Sequence, residues 1–298
     1  MSVALVWPFL VVVSAALQIV RNAAQKSLTA ELGVWGASYV RFLFGLPFAL
    51  IWLGLILLVR GPDGGPSLAH LGWSSLGGAC QAAVTALLVI AMRDRNFAVA
   101  NAMQKTEVMG AALVGLAVLG DQLSPHQWAG IAVASAGVVL AGGGGQGGDR
   151  GVSLRAAACG IGAGLLFSIS SVSYRAAGLA WGEDGWVGAA ATLVAALSVQ
   201  TIGMGLLMAL FAPAALHGVL RAWKASLVPG AAGATASALL FTAFALGPSA
   251  GAVKAVQLVD VLMAWVVSRR VFSERLSAAE IAGGALLLVG VAAVVIPG

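Results

Sequence analysis

Lys105, Glu107, Lys254 and Asp260 are ionisable residues set inside long apolar runs, where a charge costs roughly 2.5–3.5 kcal/mol unless it faces a cavity or a partner. In the run Phe97 to Leu119, Asn101, Gln104 and Lys105 follow i, i+3, i+4 spacing and share a helix face, with Glu107 three residues beyond Gln104. In the run Ser249 to Val271, Lys254, Gln257 and Asp260 step by three in the same way. Each run therefore offers an amide flanked by a cation and an anion. Such a set can bind a zwitterion, with Gln104 and Gln257 bonding the solute while the charges match its ammonium and carboxylate. The same residues admit a second reading, in which Lys105, Glu107, Lys254 and Asp260 neutralise one another across packed halves, fix register and never touch solute. The spacing leaves both open.

Other polar side chains recur at helical intervals. Gln18, Asn22 and Gln25 lie on one side of the first run, and Ser168, Ser171 and Tyr174 step by three. Gln81 and Thr85 occupy one apolar run, Phe241 and Phe244 another. Serines in membrane helices commonly bond to their own preceding carbonyls, so Gln18, Asn22, Gln81 and Tyr174 are the stronger expectations for solute contact. The phenylalanines read as core or lipid-facing, and Trp7, Trp35, Trp73, Trp128, Trp181, Trp186 and Trp223 as an interfacial belt at helix ends. Arg41 lies about two turns into the second run beside Tyr39 and has no role assigned by spacing.

Nothing here resembles catalytic machinery. His70, His126 and His217 fall in or beside loops with no nucleophile or orienting partner nearby in sequence. Cys80 and Cys159 sit in apolar stretches without a CxxC or Cys/His cluster, so no metal site, disulfide framework or cofactor is expected. The Gly142 to Gly145 run has no strand before it and no Lys-Ser/Thr after it, which excludes a phosphate-binding loop and ATP-driven transport within this chain. The expectation is a non-enzyme.

These residues must be positioned by elements suited to lipid. Of 298 residues 60% are hydrophobic and 9% charged, with a mean hydropathy of +0.98, against about 25% charged in a soluble domain. The net charge of +5 comes from basic residues placed singly or in small groups between apolar runs, which argues against nucleic acid as a partner and for a lipid bilayer. Ten runs are long enough to be membrane helices: Leu5 to Gln25, Val34 to Val59, Leu68 to Met92, Phe97 to Leu119, Pro125 to Ala141, Ser153 to Tyr174, Gly185 to Phe211, Ala225 to Leu246, Ser249 to Val271 and Ser277 to Ile296. The first has no basic n-region and reads as a retained helix. The 40 glycines suit close approach of such helices.

The fold class read from this pattern is an all-α polytopic membrane protein, ten transmembrane helices arranged as a 5+5 inverted repeat. Residues 1–141 form the first five-helix repeat, 142–152 a Gly-rich linker, and 153–298 the second repeat. An offset of 257 − 104 = 153 superposes Gln104 on Gln257 and Glu107 on Asp260. It also superposes Asp121-Gln122-Leu123-Ser124 on Glu274-Arg275-Leu276-Ser277, and Gly130 and Gly137 on Gly283 and Gly290. With an odd number of helices per half, the second copy enters the membrane from the opposite side, a symmetry that favours alternating access.

The acid-x-Leu-Ser helix ends before a Gly-rich fifth helix, over Asp121 to Gly137 and Glu274 to Gly290, resemble the EamA-type branch of the drug/metabolite transporter superfamily. The resemblance covers nearly the whole chain. It implies secondary export of amino acids, neutral or aromatic, or similar small metabolites, through a central cavity lined by the first, third and fourth helices of each half. Small multidrug members carry a membrane glutamate on the first helix; here Gln18, Asn22 and Gln25 stand instead, which disfavours proton/drug antiport. Export of cationic drugs, quaternary ammonium compounds or nucleotide-sugar-like solutes is the alternative.

Basic residues concentrate in the loops after helices one, three, five, seven and nine: Lys26, Arg93, Arg95, Arg150, Arg155, Arg221, Lys224, Arg269, Arg270 and Arg275. By the positive-inside rule this places both termini on the extracytoplasmic side of the plasma (inner) membrane. The sequence does not choose between monomer and homodimer.

Overall fold

A computed structural model describes residues 6–91, 103–143, 154–263, 266 and 277–296, and these are helical with no strand among them. The first stretch, α1 (Val6–Leu43), is followed by α2 (Leu46–Arg60) and α3 (Leu68–Ala91). Next come α4 (Glu107–Leu119), α5 (Pro125–Gly143), α6 (Leu154–Leu179) and α7 (Gly185–Phe211). The chain continues through α8 (Pro213–Arg221), α9 (Trp223–Leu246), α10 (Ala250–Gln257) and α11 (Ala278–Val295). Four described stretches are long and apolar enough to cross a membrane: Val6–Arg60, Gly185–Phe211, Trp223–Leu246 and Ala278–Val295.

Val6–Arg60 is 55 residues, about 80 Å of continuous helix at about 1.5 Å per residue, far beyond one crossing of a core about 30 Å thick. It does not run straight. Gly33, at φ 67° and ψ 173°, interrupts α1 in a conformation that suits glycine. A Cβ built on Gly233 would lie 3.0 Å from Arg21 Cδ and 3.9 Å from Arg41 Cβ. Residues 21 and 41 would be about 30 Å apart on a straight helix, so the chain doubles back at Gly33. The first leg thus extends to Leu32, past the Gln25 boundary expected from hydropathy, and the second is broken again at Phe44–Gly45 before Pro47 opens α2. The short α8 fills part of what hydropathy reads as a loop, started by Pro213 at its first turn.

The chain forms two compact units, each drawing on both sides of the glycine run. One comprises residues 1–12, 83–172 and 247–298, the other 13–82 and 173–246. In the first, α5 lies along α11 through glycines. A Cβ at Gly130 would stand 2.7 Å from Gly290 O, and one at Gly137 2.6 Å from Gly283 O, so the two backbones touch where any side chain would hold them apart. The contacts are crosswise: Gly130 meets Gly290 although the 153-residue offset matches it with Gly283. Both helices open with a capping box. Ser124 N donates to Gln127 Oε1 at 3.1 Å and Gln127 N to Ser124 Oγ at 3.4 Å; Ser277 N donates to Glu280 Oε2 at 2.7 Å and Glu280 N to Ser277 Oγ at 3.2 Å. The serine of the acid-x-Leu-Ser motif is thus a helix start. The N-terminus of α10 is held twice, by Ser249 Oγ accepting from Ala252 N and by Asp121 Oδ2 accepting from Ala250 N.

In the second unit α2, α7 and α9 pack on one another. Asp184 caps α7 through Trp186 N and Val187 N, which accounts for a start at Gly185 that agrees with the sequence. The loop after α2 is clamped to the turn before α7: Trp181 Nε1 donates to Asp63 O at 2.6 Å, Asp184 N to Asp63 Oδ2 at 2.8 Å, and Gly65 N to Trp181 O at 3.1 Å. His70 lies beside the loop that precedes α3, in the helix's first turn, with its backbone N–H donating to Ser67 Oγ at 3.0 Å. It is buried on α3, with Nδ1 3.0 Å from Ala177 O and its ring edge-on to Trp181.

Candidate functional site

In the first unit the four intramembrane charges meet as two ion pairs. Lys254 Nζ lies 3.1 Å from Glu107 Oε1, and Lys105 Nζ 3.4 Å from Asp260 Oδ2. Lys254 also donates to Gln257 Oε1 at 2.8 Å and stands over the Phe167 ring at 5.3 Å. The first pair is buried, and the second is partly open. Glu107 Oε2 and Asp260 Oδ1 are buried and accept no hydrogen bond among the described residues. Gln104 is half-buried, and Asn101 lies outside the described residues.

Both pairs sit where a helix breaks. The sequence reads one helix over Phe97 to Leu119 and another over Ser249 to Val271, but turns fall at Lys105–Thr106 and at Leu258. Val108 N bonds Lys105 O and Val261 N bonds Leu258 O, both from i to i−3. These tightened turns are related by the same offset, 258 − 105 = 153. Lys105 therefore lies in a turn rather than within a regular helix. The spacing of the polar residues carries no sign of such a break; Thr106, whose Oγ1 bonds back to Met103 O at 2.8 Å, is the local competitor.

The second unit holds a small cleft of about 20 Å³, lined in part by Arg21, Arg41, Gln81, Gln200, Ser237 and Phe241. Its polar floor is a network. Tyr174 Oη donates to Gln81 Oε1 at 2.6 Å, while Gln200 Nε2 lies 2.8 Å from Gln81 Oε1 and 3.1 Å from Tyr174 Oη. Tyr174 packs on Phe241 with ring centroids 4.2 Å apart, and a Cβ on Gly77 would be 2.7 Å from Tyr174 Cε1, so glycine there makes room for the ring. The Arg41 guanidinium stands 4.5 Å from the Phe42 ring centroid.

The sequence-chosen residues thus separate by unit. Gln81 and Tyr174 come together in the cleft network; Lys105, Glu107, Lys254, Gln257 and Asp260 come together in the ion-paired cluster. Gln18 bonds Ser14 Oγ at 3.3 Å, and Asn22 is exposed with its Oδ1 accepting from Arg21 Nη2 at 2.8 Å. Arg21, Gln200 and Ser237 are additions that spacing misses. Gln200 carries a usable signal, an amide alone in the apolar stretch of α7, where an unsatisfied polar group is costly.

Residues 3–143 match the model of the EamA-like transporter family. A solved crystal structure shares the fold over 98% of this chain and 98% of its own, with a TM-score of 0.67 and 18% sequence identity; at that identity the likeness speaks to fold alone. No curated protein matches the chain at a significant level.

Proposed function

From the premise that this chain belongs to the drug/metabolite transporter superfamily through its EamA-like region, we propose that it exports amino acids or similar small carboxylate-bearing metabolites by alternating access. It is a multi-pass membrane protein and a transporter of small solutes. The finer reading rests on the cleft of the second unit, where two guanidinium groups, two amides, a hydroxyl and an aromatic ring converge. Concave, mostly apolar sites with a few placed polar groups are the usual form of small-molecule pockets. Arg21 and Arg41 are suited to a carboxylate, Phe241 to the apolar body of a solute, and Gln81 and Gln200 to its remaining polar atoms. A cationic drug would meet like charge there.

Alternating access draws support from the crosswise contacts of the first unit. Gly130 with Gly290 and Gly137 with Gly283, like Glu107 with Lys254 and Asp260 with Lys105, each join residues of opposite halves. When residue i of one copy meets j of the other and j meets i, the copies are arranged about a twofold axis. Inverted repeats about such an axis underlie rocking mechanisms. In this reading Lys254, Glu107, Lys105 and Asp260 join the halves rather than bind solute, and solute contact passes to the cleft.

The direct test is efflux from proteoliposomes loaded with labelled amino acids, with and without a pH gradient. Saturable efflux of one or more is the expected result. Absence of saturable efflux for every amino acid and carboxylate offered would remove this reading.

A further inference from the structure

We infer that the connection between α7 and α9 is a docking surface for an anionic phospholipid, with Arg221 and Lys224 as the cations that meet its headgroup. α7 and α9 are both long and apolar enough to cross a membrane, so the chain that joins them lies at one membrane face, level with the lipid headgroups. The short α8 fills this connection and packs inward. Val219 is buried, a Cβ on Gly36 would stand 3.3 Å from Val219 Cγ2, and one on Gly218 3.4 Å from Leu32 Cδ2. The reversal of the chain at Gly33 therefore sits at the same level. Leu220 and Arg221 on α8, and Trp223 and Lys224 at the start of α9, are exposed.

Charge is handled differently at the two ends of α7. At its start, Arg60 Nη1 lies 3.6 Å from Asp184 Oδ2 and the guanidinium 5.5 Å from the Trp186 ring centroid, so that cation has its partners within the chain. At its end, no aspartate or glutamate occurs between residues 212 and 228. Among the described residues neither Arg221 nor Lys224 forms an ion pair or a side-chain hydrogen bond. Lys224 Nζ stands 5.6 Å from the ring centroid of its neighbour Trp223. On the packed reversal the acid Glu31 is exposed and is offset in charge by Lys26, also exposed. This face is left with two positive charges that the chain does not compensate.

Water could solvate such cations; the apolar surface beside them is what selects a lipid. Leu210 and Phe211 in the last turn of α7, and Leu227 and Val228 in the first turns of α9, are exposed on either side of the connection. One amphiphile can therefore lay its acyl chains on these side chains and its phosphate on the cations, with the Trp223 indole at the boundary where that ring is favoured. A zwitterionic headgroup carries its own ammonium against its phosphate, whereas an anionic one leaves its charge for Arg221 and Lys224. Near an anionic lipid surface each basic residue contributes about fivefold to association.

The full-length protein in detergent micelles is titrated with phosphatidylglycerol and with phosphatidylcholine of identical chains, and the affinity of the first bound lipid is read by native mass spectrometry. Phosphatidylglycerol should bind at least about tenfold tighter, the combined effect of the two cations. R221Q and K224Q should each weaken it about fivefold, and R221Q/K224Q should bring the two lipids within about twofold of one another. R221K should lose less than R221Q. R60Q, which removes a cation already paired at the other end of α7, should leave the preference intact. Equal affinity of the unsubstituted protein for both lipids overturns the proposal. A preference that survives R221Q/K224Q, or that falls as far in R60Q, overturns it by placing the lipid elsewhere. Displacement of phosphatidylglycerol by millimolar glycerol 3-phosphate would make the ligand a soluble phosphate and overturns the lipid assignment.

Discussion

Lys254 Nζ reaches Glu107 Oε1 at 3.1 Å, joining two residues on opposite sides of the glycine run, each with a side chain only 7% exposed. Gln257 Oε1, 2.8 Å from the same ammonium, supplies a further acceptor. The counterpart of Glu107 under the 153-residue offset is Asp260, and it also takes its cation, Lys105, from the other half. Each acid is thus compensated by a lysine from the other side of the glycine run.

Breaking the buried pair should be costly. Removing one partner of a buried ion pair leaves an uncompensated charge, an effect of about 3–5 kcal/mol. E107Q and K254M are each expected to lower the melting temperature in detergent strongly, and E107Q/K254M together much less than the sum. The Lys105–Asp260 pair, with side chains 19% and 27% exposed, is screened by water, and D260N should cost less than about 1 kcal/mol. Equal losses for E107Q and D260N would show that burial is not what distinguishes the pairs.

Close glycine packing gives a second expectation. In G137A the new methyl would stand 2.6 Å from Gly283 O, a backbone atom that cannot move aside cheaply. Overpacking of this kind costs about 1–3 kcal/mol. Gly54 on α2 has nothing within 4 Å of an added Cβ, so G54A should be neutral or stabilising by a few tenths of a kcal/mol or more, as Ala exceeds Gly in helix propensity by roughly 1 kcal/mol. Thermal unfolding of the two variants side by side checks the contrast.

How far the sequence foretells this depends on the kind of signal. The bounds of α7 are legible because Asp184 caps one end and Pro213 follows the other. The relation of Ser124 to Ser277 is legible because an offset preserves it, and their capping boxes give the motif its physical meaning. The doubling back at Gly33 falls in the gap between the first two runs, so the reversal is legible although its residue is not, whereas the turns at Lys105–Thr106 and Leu258 are not legible, since the polar residues there keep the three-residue steps of an unbroken helix. Arg41 stands out as too deep to be incidental, yet its neighbours in the cleft come from α1, α3, α7 and α9 and meet only in the folded chain. Gln200 stands out as an amide alone in an apolar stretch, but its partners Gln81 and Tyr174 likewise meet it only in the folded chain.

The cleft network predicts a variant that separates binding from folding. Y174F deletes the 2.6 Å bond to Gln81 and the longer 3.1 Å contact from Gln200 Nε2 while keeping the ring against Phe241, and Gln200 still donates to Gln81 at 2.8 Å. The stability loss should stay near 1 kcal/mol. Solute affinity should fall several-fold, because the Gln81 amide loses the donor that orients it. Counterflow in proteoliposomes gives KM and maximal rate separately; an unchanged KM would remove Tyr174 from the positioning of the site.

The last prediction concerns the paired helix starts. S277A removes the acceptor for Glu280 N, and loss of such an N-cap costs about 1 kcal/mol. S124A removes the equivalent acceptor for Gln127 N, but its box has an added duty, because Gln127 Nε2 donates to Val294 O at 3.3 Å and so ties α5 to α11. Q127A should therefore exceed both serine variants in its effect, exposing the first turn of α5 and loosening the end of α11 together. Hydrogen exchange resolved to those two segments reads this directly. In S277A faster exchange should stay within the first turn of α11, whereas in Q127A it should appear in both helices at once. Exchange confined to α5 in Q127A would mean that the bond to Val294 carries no coupling.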